Sequence, residues 1–318
     1  MVELPRAARF PTAEAVYAAY VEDSDDTERT YLGASVLGDE CERKLWLAFR
    51  WAFPPERFEG RMLRLFQSGH REEARLIADL KRIGVVFDEL PDGEQHAVRF
   101  AGGHGGGHLD GIIVSGVIEA PAARHVFEAK THNTKSFAKL VASGVKAAKP
   151  MHYAQMQVYM HLKGIDRAFY AAVEKDTDSI YTERVHLDPV AAVALLAKAS
   201  RIVFSDQAPA RISEKPDFYL CRFCAYQEAC HGSAWPRMNC RTCLHASALS
   251  SDGAWSCNRH GGKHLSRGDQ SAGCGNHLFI PDLIPGRQID ADPERETVTY
   301  ALRDGGTWTD GVAENEAI

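Results

Sequence analysis

The spacing of apolar side chains changes character several times along the chain, and each change marks an element. A short amphipathic helix is predicted over 12–22, with Thr12 placed to cap it, followed by an acidic loop over 22–28. Further helices are predicted over 39–49 and 61–83. In the second of these Leu63, Phe66, His70, Ala74, Ile77 and Leu80 keep helical spacing, which places His70 on the expected buried stripe. After Gly84 the pattern shortens to strands over 85–87, 95–100, 108–114 and 125–130, separated by Gly- and Pro-rich turns. Helices follow over 134–148 and 151–163, then strands over 167–174 and 180–186. A last long helix over 188–204 has Asp188 as N-cap and Pro189 at its first position. From Cys221 the chain is loop-rich, and it ends in a hairpin running from 297–301 through Asp304-Gly305-Gly306 to Trp308. The order predicts an α/β protein with a mixed sheet flanked by helices, divided into a helical leader (1–30), a main domain (31–235) and a cysteine-rich segment (236–318) opening at Pro236.

Composition sharpens this picture. At 318 residues and 35.1 kDa the chain exceeds a typical single domain, and 45% hydrophobic with 25% charged residues is ordinary globular composition. Residues 1–10 hold no apolar signal region, and no run reaches the roughly 18 apolar residues of a membrane span. The chain is therefore expected in the cytoplasm, without a membrane partner. There, eight cysteines grouped in close pairs read as metal ligands rather than disulfides. The net charge of -6 is unevenly placed: residues 291–318 carry seven acids against two bases, whereas 130–163 holds six lysines and no acid. Lys135, Lys139, Lys146 and Lys149 of that stripe are expected to contact nucleic-acid phosphates. The glycine-rich 102–107 lacks both the Gly-Lys-Ser/Thr ending of a P-loop and a dinucleotide fingerprint, so no nucleotide cofactor is implied.

Two predicted strands end in carboxylates, Gly107-His108-Leu109-Asp110 and Glu128-Ala129-Lys130. Paired as a hairpin they bring Asp110 and Glu128 to one sheet end, where two hard oxygen ligands suit Mg²⁺ or Mn²⁺. Lys130, two residues from Glu128, shares its face and can orient an attacking water. Gln155 and Tyr159 follow, four apart on one helical face.

The ordered set of His70, Asp110, Glu128-x-Lys130 and Gln155-x-x-x-Tyr159 resembles the RecB-like branch of the PD-(D/E)XK nucleases, over roughly 31–231. The resemblance implies a restriction-endonuclease-like sheet and a metal held by His70, Asp110, Glu128 and the Ala129 carbonyl. It also implies that Lys130 acts on the water and that Gln155 and Tyr159 position the substrate.

Cys221-x2-Cys224-x5-Cys230 is one ligand short of a four-coordinate centre, and Cys41 can complete it. This one-plus-three pattern resembles the iron-sulfur RecB-like nucleases, which include the AddB nuclease and those of CRISPR adaptation. It implies a [4Fe-4S] cluster clasping the two ends of the main domain, although four thiolates also suit zinc. Cys240, Cys243, Cys257 and Cys274 form a second four-ligand group, with His245, His260, His264 and His277 as substitutes, and read as a small zinc-binding module. The expected activity is metal-dependent DNA exonuclease action that prepares ends for phage-type recombination or repair, with a recombination or single-strand annealing protein as partner. A CRISPR-type end-trimming nuclease, a structure-specific endonuclease and an inactive nuclease-fold DNA-binding adaptor are the other readings.

Overall fold

The computed structural model describes residues 10–24 and 28–311. Its helices are α1 (Pro11–Glu22), α2 (Glu42–Phe49), α3 (Gly60–Arg82), α4 (Thr134–Ala148), α5 (Pro150–Lys163), α6 (Pro189–Phe204), α7 (Gln227–His231) and α8 (Arg267–Ala272). The strands of the main body are β1 (Leu32–Gly33), β2 (Val86–Phe87), β3 (Ala97–Phe100), β4 (Gly105–His108), β5 (Gly111–Ser115), β6 (His125–His132), β7 (Arg167–Glu174) and β8 (Ile180–His186).

Five of these form a mixed sheet in the order β2-β5-β6-β7-β8, with β6 and β7 parallel and the other pairs antiparallel. The parallel connection needs a crossover, which α4 and α5 supply. Alternate residues of β6 serve opposite faces. Phe127 and Ala129 pack with Leu76 of α3, while Val126 joins the cluster that holds Met156 and Val158 of α5 and Ile202 of α6. The expected α/β class holds: a mixed sheet between helical layers.

Several boundaries differ from expectation for identifiable reasons. Helix α1 starts at Pro11 with Phe10, not Thr12, at its N-cap. Helix α2 starts at Glu42 rather than 39, because Cys41 occupies the N-cap and its Sγ accepts the Lys44 amide at 3.4 Å. The strand expected over 108–114 is two strands in different sheets: β4 joins β1 and β3, and β5 joins the main sheet after a break at Leu109 and Asp110. His70 is exposed rather than buried. The first half of α3 rests on α1, where Tyr20 Oη donates to Gln67 Oε1 at 3.1 Å, so the core-facing stripe begins nearer Leu76.

The segment after Pro236 carries two further sheets, β9 (Ala246–Ala248), β10 (Trp255–Cys257) and β11 (Lys263–Leu265), then β12 (Gly286–Asp292), β13 (Thr297–Leu302) and β14 (Thr307–Asp310). The expected hairpin is β13–β14, with Tyr300 opposite Trp308, and β12 extends it. This segment shares the main core. Trp255 is 0% exposed against Phe49 and His104. The Arg241 guanidinium lies 3.7 Å from the Trp51 ring centroid and donates to the carbonyls of Phe49 and Thr30, both at 2.9 Å. No helix among the described residues is long and apolar enough to cross a membrane.

Candidate active site

The register of β5 on β6 sets Gly111 opposite Phe127, so a continued strand would set Leu109 opposite Ala129. The chain leaves the sheet there instead. The Asp110 carboxylate takes the place of the missing ladder carbonyl and accepts the Ala129 amide at 2.8 Å. This substitution brings Asp110 against the Glu128 pair position.

Glu128 and Lys130 project to the α5 side of β6. The Lys130 ammonium donates to Glu128 Oε1 and, at 3.0 Å, to the Ala129 carbonyl, and it stands 3.8 Å from Asp110 Oδ2. Gln155 Nε2 donates to Glu128 Oε2 at 3.2 Å and to Tyr159 Oη at 3.3 Å, and Tyr159 Oη donates to the His108 carbonyl at 2.9 Å. Helical i,i+4 spacing therefore lets one side chain fix the carboxylate while the next fixes the chain leading to Asp110. Gly107 is required by this contact, since a Cβ there would lie 2.5 Å from Tyr159 Oη.

Burial governs the electrostatics. Glu128, 0% exposed, has its carboxyl pushed up to about 7 by burial, with Asp110 and Glu73 adding to the rise and Lys130 opposing it. Glu73 on α3 is pushed up to about 7 by burial and by the charge of Asp110, against the pull of Lys130. For Lys130 burial disfavours the charge, but Glu128 and Asp110 more than offset it and hold the ammonium protonated. Glu73 is a third carboxyl of the site that the sequence reading passed over. It lies one helical turn beyond His70, which is exposed and makes no hydrogen bond or ion pair among the described residues.

The donors around the Lys130 ammonium, two carboxylates and a carbonyl, are hard oxygens that also suit Mg²⁺ or Mn²⁺, and the ammonium shows that the pocket gathers positive charge. As the side chains stand, no group of three or more His, Cys, Asp or Glu residues is arranged to hold a metal ion among the described residues. The cysteines nevertheless fall into two neighbourhoods. Cys41, Cys221, Cys224 and Cys230 line one cavity with Asp39, Arg43 and Lys44, and the Cys221 thiol is raised by burial and by the other three. Cys240 is pushed up to about 11 by burial and by Cys243, Cys274 and Cys257. All eight are free thiols.

His104, His125, His132 and His152 are buried or half-buried. His104 and His125 are buried, the first with Nε2 2.7 Å from the Leu249 carbonyl and the second with Nδ1 3.0 Å from the Ala123 carbonyl. His132 Nε2 and His152 Nδ1 lie 3.0 and 2.9 Å from Tyr170 Oη, and the two imidazoles stack at 5.9 Å. His132 lies two residues beyond Lys130 and so on its face of β6, a signal the sequence contains. Burial and the charges of Lys149 and Lys130 lower the pair to about 4 for His132 and about 3 for His152. Of the lysine stripe, Lys135 and Lys139 are exposed on α4, and Lys149 donates to Ser136 beside His132. Lys146 leans on the Tyr153 ring at 5.0 Å and lies 4.0 Å from Asp188.

No protein-family model matches the chain, and no curated protein matches it. Solved structures do. The complex of LHK-Exo with dAMP shares 15% identity over 59% of this chain and 90% of its own, with a TM-score of 0.41. The alkaline exonuclease LHK-Exo of Laribacter hongkongensis gives 17%, 59%, 90% and 0.37, and SSO0001 gives 16%, 69%, 96% and 0.38. Superpositions of this extent carry no argument about activity, and the functional reading rests on the site itself.

Proposed function

We propose that the chain is a DNA exonuclease of the PD-(D/E)XK type that hydrolyses phosphodiester bonds with Mg²⁺ or Mn²⁺. The observation that carries this reading is the convergence of Asp110, Glu128 and the Ala129 carbonyl on the Lys130 ammonium at one end of the sheet. When bound, the metal polarises the phosphoryl oxygen and makes hydroxide available near neutral pH. Asp110, Glu128 and the Ala129 carbonyl would hold it, with Glu73 or His70 as the ligand from α3. Gln155 keeps Glu128 Oε2 aimed, Tyr159 keeps the chain before Asp110 in place, and Lys130 orients the attacking water once its carboxylate partners turn to the cation. Lys135, Lys139, Lys146 and Lys149 contact the DNA backbone.

The resemblance supplies the finer part of the reading: 5′-phosphate and 3′-hydroxyl products, end processing in phage-type recombination or repair, and a recombination or annealing protein as partner. In the same reading Cys41, Cys221, Cys224 and Cys230 hold a [4Fe-4S] cluster and Cys240, Cys243, Cys257 and Cys274 hold zinc. Beyond burial, the Cys221 thiol is raised by Cys41, Cys224 and Cys230, and that of Cys240 by Cys243, Cys274 and Cys257, which supports both groupings because a bound metal would neutralise that crowding of negative charge.

The test is purified protein with Mn²⁺ on end-labelled linear DNA and on closed circular DNA. Linear DNA is degraded from its ends, and the circle survives. Equal cutting of the circle would replace exonuclease by endonuclease, and cleavage unaffected by Lys130→Ala would sink the site assignment.

A further inference from the structure

A cleft of about 360 Å³ lies between the β3–β4 ribbon, the chain around Tyr31 and the segment after Pro236. Resting on the nuclease reading above, we infer that this cleft takes one strand of the DNA and leads it to Asp110.

The floor is β4. Its glycines alternate in direction. The side-chain positions of Gly105 and Gly107 are taken by the Phe100 ring and the Tyr159 hydroxyl, whereas that of Gly106 faces the Val98 carbonyl at 3.3 Å and the Tyr31 ring edge at 3.4 Å. With no side chain at Gly106 the Tyr31 ring stays unobstructed and a ligand backbone can approach β4 closely.

The charge is right for phosphate. Arg99, opposite Gly106 in the ribbon, is exposed and makes no ion pair among the described residues. Arg241 lines the same cleft at 1% exposure, and its guanidinium donates to two carbonyls and to Gln270 Oε1 at 2.9 Å, never to a carboxylate. Held by these carbonyls and the Trp51 ring rather than by an ion pair, this guanidinium adds positive field to the cleft without itself touching a phosphate. The acid on the cleft wall is Asp252. Tyr31 adds an aromatic face, on which any base can stack.

The dimensions choose between one strand and two. A volume of about 360 Å³ equals a cube about 7 Å on edge, room for one backbone but not for two set roughly 12 Å apart across a duplex major groove. The cleft is tied to the chemistry through β4. Its lining includes Gly107 and His108, two residues before Asp110, and the His108 carbonyl is the group that Tyr159 holds.

The experiment uses the full chain without added Mg²⁺ or Mn²⁺ and without chelator, so that no cleavage intervenes and the cysteine sites stay intact, and reads anisotropy of a labelled oligothymidylate across a salt series. Arg99→Ala should lower the slope of log affinity against log salt by about 0.7, the loss of one single-strand phosphate contact. Gly106→Leu should weaken binding at least tenfold by filling the floor. Arg295→Ala, remote and exposed, should bind as wild type. A duplex of the same length should compete poorly. Wild-type affinity and slope in a folded Arg99→Ala protein, or equal competition by the duplex, would overturn the inference. A protein that binds through Arg99 yet cleaves no DNA with either metal keeps the cleft and loses the nuclease reading, so the two failures are distinct.

Discussion

Lys130 is held by the oxygens proposed to take a metal, which makes its neighbours sensitive to small changes. Glu73→Gln removes a carboxyl coupled to Asp110 and Glu128 without emptying the core, so cleavage should fall by about 100-fold or more while melting temperature is retained. Activity within a few-fold of wild type would remove Glu73 from the site. Gly107→Ala drives a methyl into the Tyr159 hydroxyl. It should cost about 1–3 kcal/mol in denaturant unfolding, as overpacking does, and should also depress cleavage, because Tyr159 anchors the chain before Asp110.

Asp110, Glu128, Lys130, Gln155 and Tyr159 were legible because periods of two and of four fix which side chains share a face. Glu73 was hidden behind the more conspicuous His70 one turn earlier. Apolar spacing over 61–83 sets His70 on the buried stripe, but the first half of α3 rests on α1, which periodicity cannot report.

At the scale of elements, the histidine pair between β6 and α5 ties stability to pH. Unfolded histidine titrates near 6.5, whereas His132 and His152 are lowered to about 4 and about 3 in the fold. Between those values the unfolded chain binds more protons than the native one, so stability rises with pH across this window and is lost as pH falls from about 6.5 toward 4. Melting temperature measured in steps over that range should show the decline, and His152→Gln should make it shallower. An unchanged slope would mean that the pair is not what titrates. The β4–β5 break was invisible to pattern reading, because an alternation running through 108–114 does not say that its two halves join different sheets. Helix α2 illustrates the opposite case: Cys41 was noticed for its chemistry and proves also to cap the helix. Cys41→Ala should thus lower stability even in metal-free protein. Anaerobically purified wild type should contain iron and sulfide, and about two zinc ions without iron would discard the cluster while leaving the cysteine grouping.

Over the whole molecule, the segment after Pro236 is bound into the core by contacts as much as 211 residues apart in sequence. Trp255 meets Phe49, and Arg241 reaches Phe49, Trp51 and Thr30. A protein ending at 235 should therefore be insoluble, and Trp255→Ala should cost about 3–5 kcal/mol, the range for emptying a large aromatic site. Recovery of a soluble, folded 1–235 fragment would show that the segment is dispensable to the core. The second cysteine cluster set an expected boundary at Pro236, but no local pattern says what a buried tryptophan packs against.

The Asp110 carboxylate stands in for a strand that has turned away, and the amide it satisfies belongs to Ala129, between Glu128 and Lys130. That amide is a built-in gauge. Its solvent exchange depends on whether Asp110 is seated, and Asp110 is carried by the ribbon whose other end faces the cleft. Hydrogen exchange at Ala129 should slow when a DNA strand occupies the cleft and quicken in Gly107→Ala. One proton, followed without any turnover, would then report how firmly the substrate path and the reactive centre are coupled.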